Sequence, residues 1–247
     1  MAADSKSILM VEDDADFCGI MVPELESHGF RVTTVATAQA ATEAVKRESP
    51  DLMVVDGLLP DTDGVTWISE LRQTGNRTKI IFITAYWKDH KSFDWMREKL
   101  DVAKVMLKPI KPSDLAEAAN SVLGGPASTG NQTADALVRE RMAALRVEYG
   151  KKLPEKVRSL SRLGGDIENL EGNPDLVAET RQAAHRLRGT AGIYGHPKIG
   201  EAAGVIEDLL SRWLKKQPRD NEALFAQLKN ALTLLNDALR NNASQQA

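Results

Sequence analysis

Cysteine is almost absent: Cys18 is the single one in 247 residues. That excludes an internal disulfide and any cysteine-rich zinc site. Histidine is scarce too. His28, His90, His185 and His196 lie far apart and form no helical metal-ligand pair. Positive charge is not in surplus, since the formal net charge is −3, which argues against a general nucleic-acid binder. No apolar run approaches the length of a membrane span. No glycine-rich nucleotide loop is present, so nothing points to an ATP-dependent kinase. Nor does a recognition-helix motif of the DNA-binding kind follow the first half. Acid comes early in MAADSKSILMVEDD, unlike a secretory signal. The expected compartment is the cytoplasm, with neither membrane nor nucleic acid as a partner.

What is present is a globular balance of 42% hydrophobic and 27% charged residues, enough for one or two cored domains. From Ser7 to Leu123, short apolar runs alternate with amphipathic stretches. The runs are Ile8–Val11, Val32–Val35, Leu52–Val55, Ile80–Ile83 and Val105–Leu107. Being apolar at consecutive positions, they read as strands covered on both faces, hence a parallel sheet. Helices are expected near Asp16–Ser27, Ala38–Arg47, Val65–Arg72, Phe93–Leu100 and Ser113–Val122. Five such units predict an α/β domain, doubly wound, over residues 1–123. Residues 124–133, GGPASTGNQT, read as a flexible linker. Beyond them the period becomes helical. Leu153, Val157, Leu160 and Leu163 form one stripe, and Leu176, Thr180, Ala183, Leu187 and Ala191 a second. Ile199, Ala203, Ile206, Leu210 and Trp213 form a third, and Phe225, Leu228, Leu232, Leu235 and Leu239 a fourth. Residues 134–247 are therefore expected to be an all-α bundle of four or five antiparallel helices, one of them started by Asn173-Pro174. Charge divides as well, with 14 Lys and Arg against 20 Asp and Glu up to residue 123, and 18 against 15 after it.

In a doubly wound sheet, ligands sit beyond the C-terminal strand ends, near the point where strand order reverses. Here those ends carry Glu12-Asp13-Asp14, Asp56, Thr84-Ala85 and Lys108-Pro109. Clustered carboxylates repel unless a cation lies between them, and an all-oxygen set with open positions suits Mg²⁺. An aspartate beside Mg²⁺ and a lysine can act as a nucleophile toward a phosphoryl group. The stretches ILMVEDD, VVDGLLPDTDG, ITA and LKP resemble a two-component response-regulator receiver domain, whose sheet is flavodoxin-like. That resemblance implies Asp56 as phosphoacceptor. It implies Mg²⁺ on Glu12, Asp13, Asp56 and the Leu58 carbonyl, Thr84 as the switch hydroxyl and Lys108 on the phosphate. The peptide before Pro109 is often cis in that family. Two departures stand out: Val105 occupies the family's switch-aromatic position, and the Thr84–Lys108 stretch is longer and carries Trp87, Phe93 and Trp95. Asp61-Thr62-Asp63-Gly64 is similar to the start of a calcium loop but lacks its terminal glutamate. Cys18 reads as a core residue of the first helix.

On a helical wheel of residues 176–192, His185 falls opposite the apolar stripe and is expected to face solvent. Arg181 and Arg188 flank it, and Gly189 and Gly192 share its face. Glycine inside a helix costs about 1 kcal/mol relative to alanine, so a flat docking and phosphate patch is expected around the imidazole. AHRLRGTAGIYG resembles the core of a histidine phosphotransfer (HPt) domain, with Arg188 where lysine is commoner. The two resemblances together imply a phosphorelay protein. Its partners would be a sensor histidine kinase, or another phosphohistidine donor, and a downstream response-regulator receiver. The alternative is a phosphorylation-gated adaptor whose helical half only binds partners or dimerises.

Overall fold

A computed structural model describes residues 5–85, 96–124, 132–166, 170, 173–216 and 222–246. Expectations for His90, Trp87, Phe93, Trp95 and linker residues 125–131 lie outside the described residues. The chain divides into two compact units, Met1–Leu145 and Arg146–Ala247.

The first unit holds five parallel strands: β1 (Ser7–Val11), β2 (Arg31–Val35), β3 (Leu52–Asp56), β4 (Lys79–Thr84) and β5 (Lys104–Leu107). Their order is β2-β1-β3-β4-β5. The order reverses between β1 and β3, which sets the ligand crevice at the C-terminal ends of those strands. Four helices accompany them: α1 (Ala15–Ser27), α2 (Ala38–Glu48), α3 (Gly64–Gln73) and α4 (Pro112–Leu123). Residues 96–100 are also helical.

The central strands β1, β3 and β4 are buried along their apolar runs. Alternate side chains serve opposite faces. Leu9, Val11, Met53, Val55, Ile80 and Phe82 pack with Ala41 and Val45 of α2 and Trp67 and Ile68 of α3. Each such fully buried large side chain contributes roughly 2 kcal/mol. The reading of every strand as covered on both faces is corrected at β2 and β5. These are the sheet's edges, and each leaves its first residue, Arg31 or Lys104, exposed, as is Leu107 at 44%.

Helix starts follow local chemistry. The Asp14 carboxylate accepts from the Asp16 and Phe17 amides of α1, Thr37 Oγ1 from Ala40 of α2, and Asp63 from Thr66 of α3. Each satisfies donors that the first turn leaves open.

In the second half the described residues form helices α5 (Gln132–Gly165), α6 (Pro174–Ala191), α7 (Pro197–Lys216) and α8 (Glu222–Gln246), with residues 192–196 turning between α6 and α7. Helix α5 starts two residues inside the segment read as linker. Asn173 caps α6, its side chain accepting from the Leu176 amide at 3.1 Å. Helix α7 packs against both α6 and α8. Tyr149 of α5 stacks on Tyr194 at 4.1 Å between centroids and reaches Thr190 Oγ1 at 3.0 Å through its hydroxyl. Gly200 and Gly204 lie one turn apart on α7. A Cβ at Gly204 would lie 3.1 Å from Arg188 Nε, and one at Gly200 3.5 Å from the Gly192 nitrogen. Their missing side chains are what let α6 and α7 approach closely.

Candidate functional site

The strand ends bring the sequence-predicted acidic residues together. Glu12 follows β1 and Asp56 ends β3, so the β1–β3 pairing sets them side by side. One ligand oxygen from each of Glu12, Asp13 and Asp56 lies within 4.8 Å of the others. Glu12 and Asp56 are buried and Asp13 half-buried. Lys108, just past β5, reaches in with Nζ 2.7 Å from Glu12 Oε2 and 3.3 Å from Asp56 Oδ1. Its ammonium also lies 4.5 Å from the Phe17 ring centroid. The Lys108–Pro109 peptide is cis. Thr84 is 2% exposed at the end of β4.

Glycines make room for this geometry. A Cβ at Gly57 would press on Phe82 and Thr84 at 3.1 Å, and one at Gly64 would collide with the Asp56 carbonyl oxygen. The Gly57 amide donates to Ile83 O at 2.8 Å and Asp56 Oδ1 at 2.9 Å. Leu58 pairs with Asp63 across the base of the following loop.

The electrostatics are those of carboxylates short of cation. Burial, then the neighbouring Asp56, pushes Glu12 up to about 8 against the pull of Lys108. Burial alone would lower Lys108, but Asp56 and Glu12 hold it above the usual lysine range. Three carboxylates face one ammonium, and a divalent cation among them would supply the missing charge. The donors are all oxygen, as Mg²⁺ requires, so Glu12, Asp13 and Asp56 fit that ion. Cys18 is half-buried rather than a core residue. Its thiol is pushed up to about 12 by burial and by Glu12, which makes it a poor nucleophile.

The helical half departs from expectation. His185 does not face solvent; it is 2% exposed. Glu207 of α7 meets it, Oε1 lying 2.9 Å from His185 Nδ1, and Glu207 is equally buried. Arg188 is turned to α7 as well, with NH1 3.0 Å from Glu207 Oε2 and 3.1 Å from Asp208 Oδ1. Gly189 is buried and Gly192 half-buried. The open patch expected from Arg188, Gly189 and Gly192 is therefore not open: Arg188 and Gly192 lie against α7, which packs on the face that the wheel left bare. Arg181, one turn before His185, is half-buried. Burial raises Glu207, but the His185 hydrogen bond and the charges of His185 and Arg188 outweigh it and hold the carboxyl below its usual range. Glu207 was missed by the sequence reading. Its signal is a glutamate one turn after Ala203, within the apolar stripe that runs on to Leu210; a charge on a buried stripe needs a partner.

Family models match both halves: the response regulator receiver domain over residues 8–120 and the Hpt domain over residues 153–238. Chemotaxis protein CheY of Bacillus subtilis (strain 168) is 30% identical over 117 residues, which are 47% of this chain and 96% of that protein. The alkaline phosphatase synthesis transcriptional regulatory protein PhoP of the same organism is 29% identical over 119 residues. That match covers 48% of this chain and 49% of PhoP, so the chain spans about half the length of that relative. Among solved structures, a CheY-like receiver domain protein from Methanospirillum hungatei JF-1 aligns at a TM-score of 0.45 and 26% identity, over 49% of this chain and 95% of that one. The chain belongs to the response-regulator receiver family. More narrowly, it is a receiver followed by an Hpt domain. Among the described residues, no helix is long and apolar enough to cross a membrane.

Proposed function

We propose that the protein passes phosphoryl groups between histidine and aspartate side chains in the cytoplasm, with Asp56 and His185 as its two carriers. The domain limits proposed are residues 1–123 for the receiver, 124–133 for the linker and 134–247 for the Hpt bundle. The observation that carries the reading is the cluster of Glu12, Asp13, Asp56 and Lys108 at the β1–β3 reversal.

In the receiver, an Asp56 carboxylate oxygen attacks the phosphorus of a phosphohistidine on a partner. The P–O bond forms as the P–N bond breaks, and the imidazole nitrogen leaves with the bonding electron pair. Glu12, Asp13, Asp56 and the Leu58 carbonyl would hold Mg²⁺, which when bound offsets charge on the phosphoryl oxygens. Lys108 and the Thr84 hydroxyl serve the remaining oxygens. In the bundle, His185 takes a phosphoryl group on Nε2, the nitrogen that Glu207 does not engage, and returns it to an aspartate of its own or a partner receiver. Glu207 fixes the ring's orientation and stabilises charge on it. Arg181, Arg188, Gly189 and Gly192 support the α6 surface at which this exchange takes place, with Arg188 acting through Glu207.

A second reading, a phosphorylation-gated adaptor with His185 incidental, is favoured by one observation, the 2% exposure of that histidine. One experiment judges both. The full chain, Asp56→Asn and His185→Gln are incubated with a small acyl-phosphate donor and Mg²⁺, and with a phosphorylated receiver. Acid and base stability of the product then distinguishes acyl phosphate from phosphohistidine. Acyl phosphate lost only in Asp56→Asn and phosphohistidine lost only in His185→Gln support the relay. Acyl phosphate with no phosphohistidine under either donor leaves the adaptor, and no acyl phosphate on the wild type sinks both.

A further inference from the structure

Asp61 has no part in the chemistry above, yet it makes a specific long-range contact. Its two carboxylate oxygens accept from the first two amides of α2: Ala38 N to Oδ1 and Gln39 N to Oδ2, each at 3.0 Å. The third amide of that turn, Ala40, goes to Thr37 Oγ1 at 3.1 Å. Helix α2 is thus capped by two residues of different origin, one from its own N-cap and one from more than twenty residues away. A carboxylate across two open amides at a helix start is favourable for both hydrogen bonding and the helix dipole.

The place Asp61 comes from matters more than the cap. It sits at the tip of the loop between β3 and α3, the loop that leaves Asp56. Both feet of that loop are tied. The Gly64 amide donates to Gly57 O at 3.1 Å, and Asp63 accepts from the Thr66 amide and hydroxyl at 2.9 and 2.8 Å. The Leu59 amide donates to Thr62 O at 3.1 Å across the tip. Asp61 then carries the tip to a second element. Helix α2 has its own anchor to α3, because Trp67 Nε1 donates to Thr42 Oγ1 at 2.9 Å. Cutting the Asp61 contact would therefore free the loop's tip from α2, with the feet still tied and α2 still held to α3.

We propose that Asp61 is a positioning residue that clamps the β3–α3 loop to the start of α2, and so holds the Leu58 carbonyl in register with Asp56 and Glu12. The inference rests on the proposed metal and phosphoryl site and deepens it. Fixing a loop beforehand removes its ordering entropy from the binding step. A tip cut loose from α2 leaves more of this ordering to the ion itself, and the ion then binds more weakly.

The test compares Asp61→Ala with Thr37→Ala. Each removes part of the same helix cap, but only the first frees the loop's tip from α2. Mg²⁺ affinity is read by calorimetry on the full chain, loading of Asp56 by an acyl-phosphate donor is timed, and amide exchange at Ala38 and Gln39 is followed by NMR. Asp61→Ala is expected to weaken Mg²⁺ binding about fivefold, the ratio that one helix cap is worth. It should slow loading to match and speed exchange at both amides. Thr37→Ala is expected to lower stability by a similar amount and leave Mg²⁺ affinity and loading near wild type. Asp61→Asn, which loses the charge but keeps one acceptor, is expected to lie between wild type and Asp61→Ala. Equal Mg²⁺ affinities in Asp61→Ala and Thr37→Ala would overturn the clamp, and so would an Asp61→Asn as weak as Asp61→Ala, since charge alone would then account for the loss. A wild type that binds Mg²⁺ but takes no phosphoryl group would refute the proposed function and leave the Mg²⁺ comparison to decide the clamp.

Discussion

Glu207 offers the sharpest perturbation, because it answers to two partners at once. Its Oε1 lies 2.9 Å from His185 Nδ1 and its Oε2 3.0 Å from Arg188 NH1. His185 and Glu207 side chains are each 2% exposed, and Arg188 is 14% exposed. Glu207→Ala takes the carboxylate from a buried ring donor and leaves the largely buried guanidinium with Asp208, a loss of about 3 kcal/mol, the low end for a broken buried ion pair. Glu207→Gln keeps the shape and one acceptor but exchanges charged hydrogen bonds for neutral ones, a loss of about 1–2 kcal/mol. The two variants therefore differ by at least about 1 kcal/mol, and urea unfolding of the full chain, followed through the helical unit, resolves that gap. The acid side of the profile gives a second handle. Glu207 ionises more readily in the folded chain than in the unfolded one. Its stabilisation is complete above the ordinary carboxylate pKa, and it is lost as pH falls through the lower folded value. Glu207→Gln should flatten that acid limb, whereas its stability near pH 7 falls only modestly. An alanine variant that unfolds within about 1 kcal/mol of wild type, or a glutamine variant with an unchanged acid limb, would refute the pairing as a source of stability.

Two other outcomes are expected. Lys108→Met removes the ammonium that lies 3.3 Å from Asp56; loading of Asp56 by an acyl-phosphate donor should slow about a hundredfold, the usual loss for one preorganised oxyanion donor, and an unchanged rate would exclude Lys108 from the phosphoryl site. At the other end of β1, the Ser7 amide and the Lys6 ammonium hold the Asp51 carboxyl down to about 2 from an ordinary 3.8. Its contribution is present above pH 3.8 and is lost as pH falls through 2, so Asp51→Asn should destabilise the chain clearly at pH 6 and only slightly at pH 2, as read by denaturant midpoints.

The receiver half was legible because its signals are local. Val-rich and Ile-rich runs mark β1, β3 and β4, and the polar residue ending each run lands in the crevice. The edges were harder to read. Arg31-Val-Thr-Thr-Val looks like an ordinary strand, and only its position at the end of the sheet decides that one side stays wet. His185 failed for a different reason. A helical wheel ranks faces by one apolar stripe, but α6 meets α7 on the face that the stripe leaves over, through charged and glycine contacts that carry no hydrophobic weight. Glu207 was visible as an acid inside an apolar stripe, yet nothing local names its partner twenty-two residues earlier. Asp61 was set aside with its calcium-like loop, since a cap supplied from a distant segment leaves no mark in the spacing.

The closeness of α6 and α7 has an evolutionary consequence. Arg188 is held by Glu207 and Asp208 and cannot swing aside for a methyl group at residue 204, which would arrive 3.1 Å from its Nε. Positions 188, 204 and 207 should therefore drift as a set among descendants of this gene. A lineage that acquires alanine at 204 should carry a shorter residue at 188, and once that guanidinium has gone the acid at 207 has the histidine as its remaining reason to persist.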